Sequence, residues 1–587
     1  MRISILNKDK CQPRRCSLEC IKYCPRVRTG DETIVIGDDG KPVISEELCV
    51  GCGICVNKCP FNAIRIIGLP EELVVPTHRY GENNFALYGL PLPQQGKVTG
   101  ILGANGIGKT TAVKILSGAL TPNLGTPETT WDDVLEYYSG TVFHDYLKGV
   151  SEERIKTSEK PQYVDLIPKA YQGRVNDLLG AVDERGAVGE LAERLEITRI
   201  LDQDIRHLSG GELQRVAITA CLAKDADLYF LDEITPYLDV HQRMKSAQLI
   251  REIAEKKTVL VVEHDLAILD LLADTVHVSY GTPGAYGVIT PPKVVRVGIN
   301  EYLRGYLPQE NVRIREEAIE FETHAPRAEE EQSTIIEFDK FSKKYEKFTL
   351  TVTGGEINHG EVVGIVGPNG IGKTTFIKLL AGEITPTTGK LDLNLKISYK
   401  PQYIKTDIDT TVQNFLHTIN PRFSQSYYTT EIIKPLQIDT IYEQNIQDLS
   451  GGELQRVAIA ACIGREADLY LFDEPSAHLD VEQRTMTTKV IRRFAKNQNV
   501  TTFVADHDIY MIDMISDRLL VFNGKPSHNG KAEGPYGMRN GMNQFLHNLG
   551  ITFRRDADTK RPRVNKPDSK LDREQRKSGE YYYTPEQ

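Results

Sequence analysis

The sequence holds 587 residues, 40% of them apolar and 26% charged, with a formal net charge of −10. That length suits three or four domains, the composition excludes a disordered chain, and the acidic balance excludes a general nucleic-acid coat, which would be basic overall. No window approaches the ~18 uncharged apolar residues that cross a bilayer, and Met1 to Lys8 lack the apolar core of a signal peptide, so a cytoplasmic, non-spanning protein is expected.

Eight of the ten cysteines lie within the first 59 residues. Cys49-x2-Cys52-x2-Cys55-x3-Cys59-Pro60 is the run that holds a 4Fe–4S cluster in bacterial ferredoxins. Cys11-x4-Cys16-x3-Cys20-x3-Cys24-Pro25 is a wider version of it. In two-cluster ferredoxins the cysteine before proline ligates the other cluster. The expected sets are therefore Cys49, Cys52, Cys55 and Cys24 for one cluster, and Cys11, Cys16, Cys20 and Cys59 for the other. The alternative is a pair of zinc sites, which usually use separated Cys-x2-Cys pairs. A ferredoxin-like domain is predicted over 1–75. Residues 1–28 carry eight Lys or Arg against two acids, and 554–577 carry ten against five. Each stretch reads either as solvated surface or as a local phosphate-backbone contact, and the first also as counter-charge to the clusters.

An internal repeat organises the remainder. Gly103-Ala-Asn-Gly-Ile-Gly-Lys-Thr110 recurs 264 residues later as Gly367-Pro-Asn-Gly-Ile-Gly-Lys-Thr374. Lys160-Pro-Gln recurs at Lys400, Leu208-Ser-Gly-Gly-Glu-Leu-Gln at Leu449, and Leu228-Tyr-Phe-Leu-Asp-Glu at Leu469. Glu263-His264-Asp265 recurs as Asp506-His507-Asp508. The offset falls by 24 between the first two elements, so the first copy carries an insertion, expected as a helical hairpin over about 126–160 that includes Trp131. A further repeat, Gly298-Ile-Asn-Glu-Tyr-Leu and Gly541-Met-Asn-Gln-Phe-Leu, follows each copy and reads as a paired strut or as a terminal cap. The predicted division is 76–290 and 326–535 for the two nucleotide-binding domains, with hinge segments at 291–325 and 536–587. Cys221 and Cys462 lie in matching apolar helical runs and are read as core thiols.

Each glycine loop follows an apolar strand and opens a helix, the context in which such a loop cradles phosphates with its N–H groups and the helix N-terminus. Gly103, Asn105, Gly106 and Gly108, with Gly367, Asn369, Gly370 and Gly372, form the two loops. Lys109 and Lys373 would reach the β/γ-phosphates, and Thr110 and Thr374, with Thr111 and Thr375 beside them, the Mg²⁺ end. Asp232 and Asp473 would hold Mg²⁺, while Glu233 and Glu474 would orient or deprotonate the attacking water. Neighbouring side chains on a strand point to opposite faces, so each Glu must lie just past its strand. His264 and His507 end a further buried strand and are read as sensors of the γ-phosphate. The loops after the two glutamates differ: Glu474-Pro-Ser-Ala-His478 against Glu233-Ile-Thr-Pro-Tyr237. A proline removes an N–H donor, so their backbone bonding must differ, and unequal turnover at the two sites is expected.

In this order the motifs resemble those of the ABC ATPases. That resemblance implies an α/β fold, with two tandem ABC-type P-loop nucleotide-binding domains arranged head to tail. Each ATP would lie between one domain's P-loop and the other's Ser-Gly-Gly-Glu. One site would combine Lys109, Thr110, Gln162, Asp232, Glu233 and His264 with Ser450, Gly452 and Glu453. The other would combine Lys373, Thr374, Gln402, Asp473, Glu474 and His507 with Ser209, Gly211 and Glu212. Asp239 and Asp480 would support the nucleotide sites, and Tyr80 or Phe85 and Tyr345 or Phe348 would stack on adenine. Together with the ferredoxin-like domain, and with Phe553-Arg-Arg-Asp-Ala-Asp and Arg561-Pro-Arg-Val-Asn near the end, the whole chain resembles the ABC-E family, also called RNase L inhibitor.

That likeness implies a monomeric ribosome-recycling ATPase using ATP, Mg²⁺ and two structural 4Fe–4S clusters. It would split ribosomes with a release factor or Pelota-type factor and remain on the small subunit, touching rRNA and ribosomal proteins, with no membrane partner. The rival readings are an ATP-gated iron–sulfur electron-transfer protein and a cytosolic ATPase energising a separate membrane transporter. A DNA-repair ATPase is disfavoured because no long heptad segment interrupts either copy.

Overall fold

The computed structural model describes residues 2–8, 10–37, 39–45, 48–61, 63–68, 75–81, 84–321, 333–391, 393–402 and 408–582. The expected domain junctions near 75 and 325 adjoin 69–74 and 322–332, which lie outside the described residues.

In the N-terminal part, strand Arg2–Leu6 pairs antiparallel with Ile64–Gly68, and Ile34–Ile36 pairs with Pro42–Ile44. The short helices Glu19–Lys22 and Ile54–Lys58 pack on each other and carry one cysteine from each run, Cys20 and Cys55. The apolar core is small: Leu6, Ile34, Ile44, Ala63 and Ile64 close around the thiols of Cys20, Cys24 and Cys55. Such a core needs a further staple, which metal–thiolate bonds supply in small domains.

The two repeats build matching mixed sheets. In the first, the strand order is His78–Arg79, Ala86–Tyr88, Tyr286–Ile289, Thr275–Thr282, Val98–Leu102, Thr258–Val262, Leu228–Asp232 and Thr157–Lys160. The second runs Phe341–Lys344, Thr349–Val352, Asn529–Gly537, Arg518–Lys525, Val362–Val366, Thr501–Ala505, Leu469–Asp473 and Ile397–Lys400. The four strands from Val98–Leu102 to Thr157–Lys160, and their counterparts from Val362–Val366 to Ile397–Lys400, are parallel to one another. Both P-loop strands and both strands ending in Asp are buried along their whole length. Burial on both faces explains their unbroken apolar runs. The glycine loop, the Asp-Glu pair and the histidine all leave the carboxyl ends of adjacent parallel strands, where open α/β sheets bind ligands.

Two helices, Trp131–Tyr137 and His144–Ser151, fill the inserted span and pack on each other. Thr130 caps the first of them through a reciprocal bond with Asp133. Thr157–Lys160, assigned by sequence to the end of the insertion, is instead the edge strand of the first sheet.

After each sheet comes a helix, Val295–Arg304 or Met538–Leu549, stopped by a left-handed glycine, Gly305 or Gly550. A short hairpin follows each helix: Tyr306–Leu307 with Val312–Arg313, and Phe553–Arg555 with Pro562–Val564. The second hairpin ties the halves together. Arg563 grips Asp270 of the first half with two bonds of 2.6 and 2.8 Å, while Arg555 bonds Asp513 of the second at 2.9 Å. Asp556 accepts from Asn300 and Arg296 of the first helix at 3.1 and 3.0 Å. Arg561 is fully buried, beside Tyr510 and Asn300. Arg555, Arg561 and Arg563 are thus spent on internal pairs with Asp513 and Asp270 rather than offered to phosphates. Their acidic partners lie far away in sequence, which is why the charge run gave no sign of this.

Candidate nucleotide and iron–sulfur sites

The two halves face each other, and a cavity of about 610 Å³ opens between them. The P-loop residues Asn105, Gly106, Gly108, Lys109, Thr110 and Thr111 line it, with Gln162, Asp232 and Glu233. From the opposite half come Ser450, Gly452, Glu453 and His478.

Local chemistry sets the parts. Gly108 and Gly372 take φ of +89° and +107° as N-caps of the P-loop helices. A Cβ on Gly108 would sit 2.6 Å from Phe85, and one on Gly372 3.0 Å from Phe348, so glycine is required twice over. Phe85 and Phe348 thereby form the floor under the loops, whereas Tyr80 and Tyr345 are exposed. Tyr80 lies 3.3 Å from the Thr111 hydroxyl. Lys109 is buried and donates to the carbonyls of Gly103 and Ala104 at 2.8 and 2.7 Å, and Lys373 repeats this on Gly367 and Pro368.

Asp232 and Asp473 end their strands, and Glu233 and Glu474 follow with left-handed φ of +50° and +48°. That turn swings each glutamate off the strand end, toward Gln162 at 2.6 Å in the first site. Burial, then the neighbouring glutamate, pushes Asp232 up to about 7 and Asp473 up to about 6, a site short of positive charge that Mg²⁺ would answer. His264 and His507 lie 3.6 Å from Glu233 and Glu474. Burial and nearby cations hold both imidazoles below their ordinary range.

The loops after the glutamates share one shape despite the displaced proline: Tyr237 and His478 both take left-handed φ, +63° and +61°. Thr235 does in the first what Ser476 does in the second. Its N–H and hydroxyl bind Glu263 at 3.2 and 2.7 Å, as those of Ser476 bind Asp506 at 2.9 and 2.6 Å. Ile234 adds an N–H bond to Glu263 at 3.1 Å that Pro475 cannot make. The longer acid thus stands where an extra donor must be reached.

Ser209 and Ser450 cap the signature helices through reciprocal bonds with Glu212 and Glu453. The two glutamates are therefore engaged within their own helix turn, whose N-terminus faces the opposite P-loop. In the second site Asn369 donates its backbone N–H to Asp239 at 2.9 Å and its side-chain amide to Tyr237 O at 2.9 Å, while Asp473 is bonded to Thr374. Glu474 is bonded by Gln402.

Four residues to which the sequence reading gave no role hold the Asp-Glu turn. Lys160 donates to the carbonyls of Asp232 and Glu233 at 2.7 and 2.8 Å, and Lys400 to those of Asp473 and Glu474 at 2.8 and 3.2 Å. Gln214 and Gln455 donate to Glu233 O and Glu474 O at 2.7 and 2.6 Å. Each stood inside a repeated motif, so the repeat itself was the signal.

In the N-terminal part Cys24, Cys49, Cys52 and Cys55 line one small cavity. Cys20 lies close enough to Cys11, Cys59 and Cys16 to feel their charge, and burial pushes its thiol up to about 11. Cys11 likewise feels Cys59 and Cys16. Both groupings cross between the two sequence runs. Each grouping offers four thiols, three from one run and one from the other, which fits the donor pattern of a two-cluster ferredoxin.

Family models bear on the same segments. The model described as "ABC transporter" matches 93–236 and 350–477, "Possible Fer4-like domain in RNase L inhibitor, RLI" matches 1–32, and "4Fe-4S binding domain" matches 42–65. The chain is 45% identical to "ABC transporter E family member 1" of Arabidopsis thaliana, over 99% of this chain and 98% of that protein. Among solved structures it is similar to "Model of ribosome-bound archaeal Pelota and ABCE1", with a TM-score of 0.95, 52% identity and 100% and 99% of the two chains covered. It is also similar to "Crystal structure of the complex of archaeal ribosomal stalk protein aP1 and archaeal ribosome recycling factor aABCE1", with a TM-score of 0.83, 52% identity and 88% and 100% covered.

Proposed function

The chain belongs to the ABC-E family, and from that premise we propose that it is an ATP-driven ribosome-recycling factor that acts with a Pelota-type or release factor. ATP would bind at both composite sites, with Mg²⁺ between Thr110 and Asp232 in one and Thr374 and Asp473 in the other. Glu233 and Glu474 would orient water, His264 and His507 would sense the γ-phosphate, and Ser209 and Ser450 with their helix N-termini would close each site from the far side. Adenine would stack on exposed Tyr80 and Tyr345 rather than on Phe85 and Phe348, whose rings support the P-loops. Cys24, Cys49, Cys52 and Cys55 would hold one 4Fe–4S cluster and Cys11, Cys16, Cys20 and Cys59 the other. The clusters would supply rigidity to a domain with a very small core.

One observation carries the coupling. The iron–sulfur domain touches both halves of the same nucleotide site. Arg65 bonds Pro283 O, and the next residue, Gly284, donates to Gly106 O of the first P-loop at 3.1 Å. Lys10 donates at 3.1 Å to Thr440 O, in the turn that leads to the second signature. Closing that site on ATP moves both anchors together, so the domain must move or give up one contact. Such a stroke would wedge the partner factor between ribosomal subunits and leave the ATPase, a cytoplasmic monomer, on the small one.

The test is sucrose-gradient analysis of joined ribosomes with the protein, a Pelota-type factor and ATP. ATP-dependent loss of the joined particle is expected, and an unchanged profile would remove the reading. An electron carrier would instead cycle its clusters during ATP turnover, which a redox titration detects.

A further inference from the structure

The two P-loops share Asn-Gly-Ile-Gly-Lys-Thr and differ only in Ala104 against Pro368 before the asparagine, yet the two asparagines are found in different states. Asn369 is committed across the interface, with its amide on Tyr237 O and its N–H on Asp239, both at 2.9 Å. Asn105 is committed within its own half. Its Oδ1 lies 3.1 Å from Nε2 of His264, and its N–H reaches Asp480 at only 3.5 Å. The carbonyl it would meet is set in its own half as its counterpart is: His478 O and Tyr237 O both lie 2.8 Å from the Cβ position of the signature glycine of the same half, Gly452 or Gly211.

We propose that Asn105 is a positioning residue that withholds His264 from the γ-phosphate until the opposing loop docks, and that Asn369 shows the released state of the same switch. The chemistry is competition for one hydrogen. Burial, with Lys109 and Arg484 nearby, keeps His264 neutral, and its Nδ1 has no partner. A neutral imidazole has one N–H, and with no acceptor at Nδ1 and Asn105 Oδ1 at 3.1 Å from Nε2 that N–H is assigned to Nε2, on Asn105. A γ-phosphate oxygen needs the same N–H. When the loop of Asp480 closes to the distance that the loop of Asp239 already holds, the Asn105 amide turns to His478 O and the imidazole is freed. The site next to the iron–sulfur domain therefore turns on only after closure. The inference rests on the reading of His264 as γ-phosphate sensor.

The experiment compares Mg²⁺-AMP-PNP with Mg²⁺-ADP binding in the full-length protein. Lys373→Ala silences the second site, and the preference for the triphosphate is read at the first. His264→Ala should lower that preference. Asn105→Ala alone should change it by less than about twofold, because a closing contact and a competitor vanish together. In the His264→Ala background, with no competitor left, Asn105→Ala should cost about fivefold, the worth of one hydrogen bond. Asn369→Ala, read in Lys109→Ala protein, should cost about fivefold with His507 intact. ADP affinity within twofold of the parent shows an intact fold; where Asn105→Ala fails this, Asn105→Ser replaces it. Equal losses for Asn105→Ala in both backgrounds would overturn the competition while leaving the site reading standing. No loss in His264→Ala would overturn both. An AMP-PNP complex should place the Asn105 amide on His478 O, and one with Asn105 still on His264 would sink the switch.

Discussion

Lys160 and Lys400 show how much of the Asp-Glu turn is held by groups behind it rather than by the carboxylates themselves. Each is almost wholly buried, with two carbonyls within reach of its ammonium group. Burial pulls both down to about 8, so each remains mostly charged at neutral pH at a cost that the paired carbonyls offset. Lys160→Met, of similar length but without donors, should take the ammonium bonds from both carbonyls, leave Glu233 O to Gln214 alone and let Glu233 drift. Misplacing a reacting group by about 1 Å costs on the order of 10²-fold. Steady-state ATPase assays should therefore show kcat falling at least tenfold with KM for ATP within about threefold. The two glutamates also make a test of inequality. Glu233→Gln and Glu474→Gln should leave different residual ATPase rates, because the loops that follow them differ by one N–H bond and by Tyr237 against His478. Equal residual rates would count against that.

At the scale of elements, the C-terminal hairpin is the part whose chemistry the charge count misrepresented. Asp556 is its hub, taking bonds from Asn300, Arg296 and Arg563 and from the N–H groups of Asp558 and Thr559. Burial opposes its charge, but those donors hold its carboxyl well below the ordinary range. A carboxylate depressed in the folded state gives stability that is present above its unfolded pKa of about 3.9 and lost as pH falls below it. Asp556→Ala should destabilise the contact between halves by roughly 3 kcal/mol, the scale for breaking a buried pair. Calorimetry should then show the first unfolding transition of the variant below that of the parent at pH 7, with the difference shrinking toward pH 3. The cysteine runs make a second prediction at this scale. If the clusters are crossed, Cys24→Ser with Cys52→Ser disables one cluster and reconstituted protein keeps about half of its iron. If each run holds its own cluster, the same pair disables both and nearly all the iron is lost.

Across the whole molecule, two composite sites sit on one interface in unlike states, and the iron–sulfur domain straddles the one whose P-loop asparagine has not yet crossed. On the proposed function, that placement would make the motor asymmetric: binding energy at the second site would hold the halves together, and closure of the first would have to displace the domain anchored by Arg65 and Lys10. Arg65→Ala should loosen that anchor, so that ATP closes the first site more readily. AMP-PNP affinity at that site should rise about threefold, and ATP-driven ribosome splitting should weaken while ATPase persists. Unchanged affinity together with unchanged splitting would show that Arg65 is no anchor.

The amino-acid sequence alone settled what is local or repeated. The glycine loops, the strand-end carboxylates and histidines and the two cysteine runs were legible because each depends on spacing along a few residues, and the repeat shown twice removed chance. Only the tertiary structure decided which partner each residue serves across a large separation. Asp270 with Arg563, Lys160 with the carbonyls of Asp232 and Glu233, and Asn369 with Tyr237 are pairings of closeness in space, which linear order does not encode. It also decided that the asparagines of two nearly identical P-loops occupy different states. The cause is that a side-chain amide takes whichever partner the other half of the molecule brings within reach.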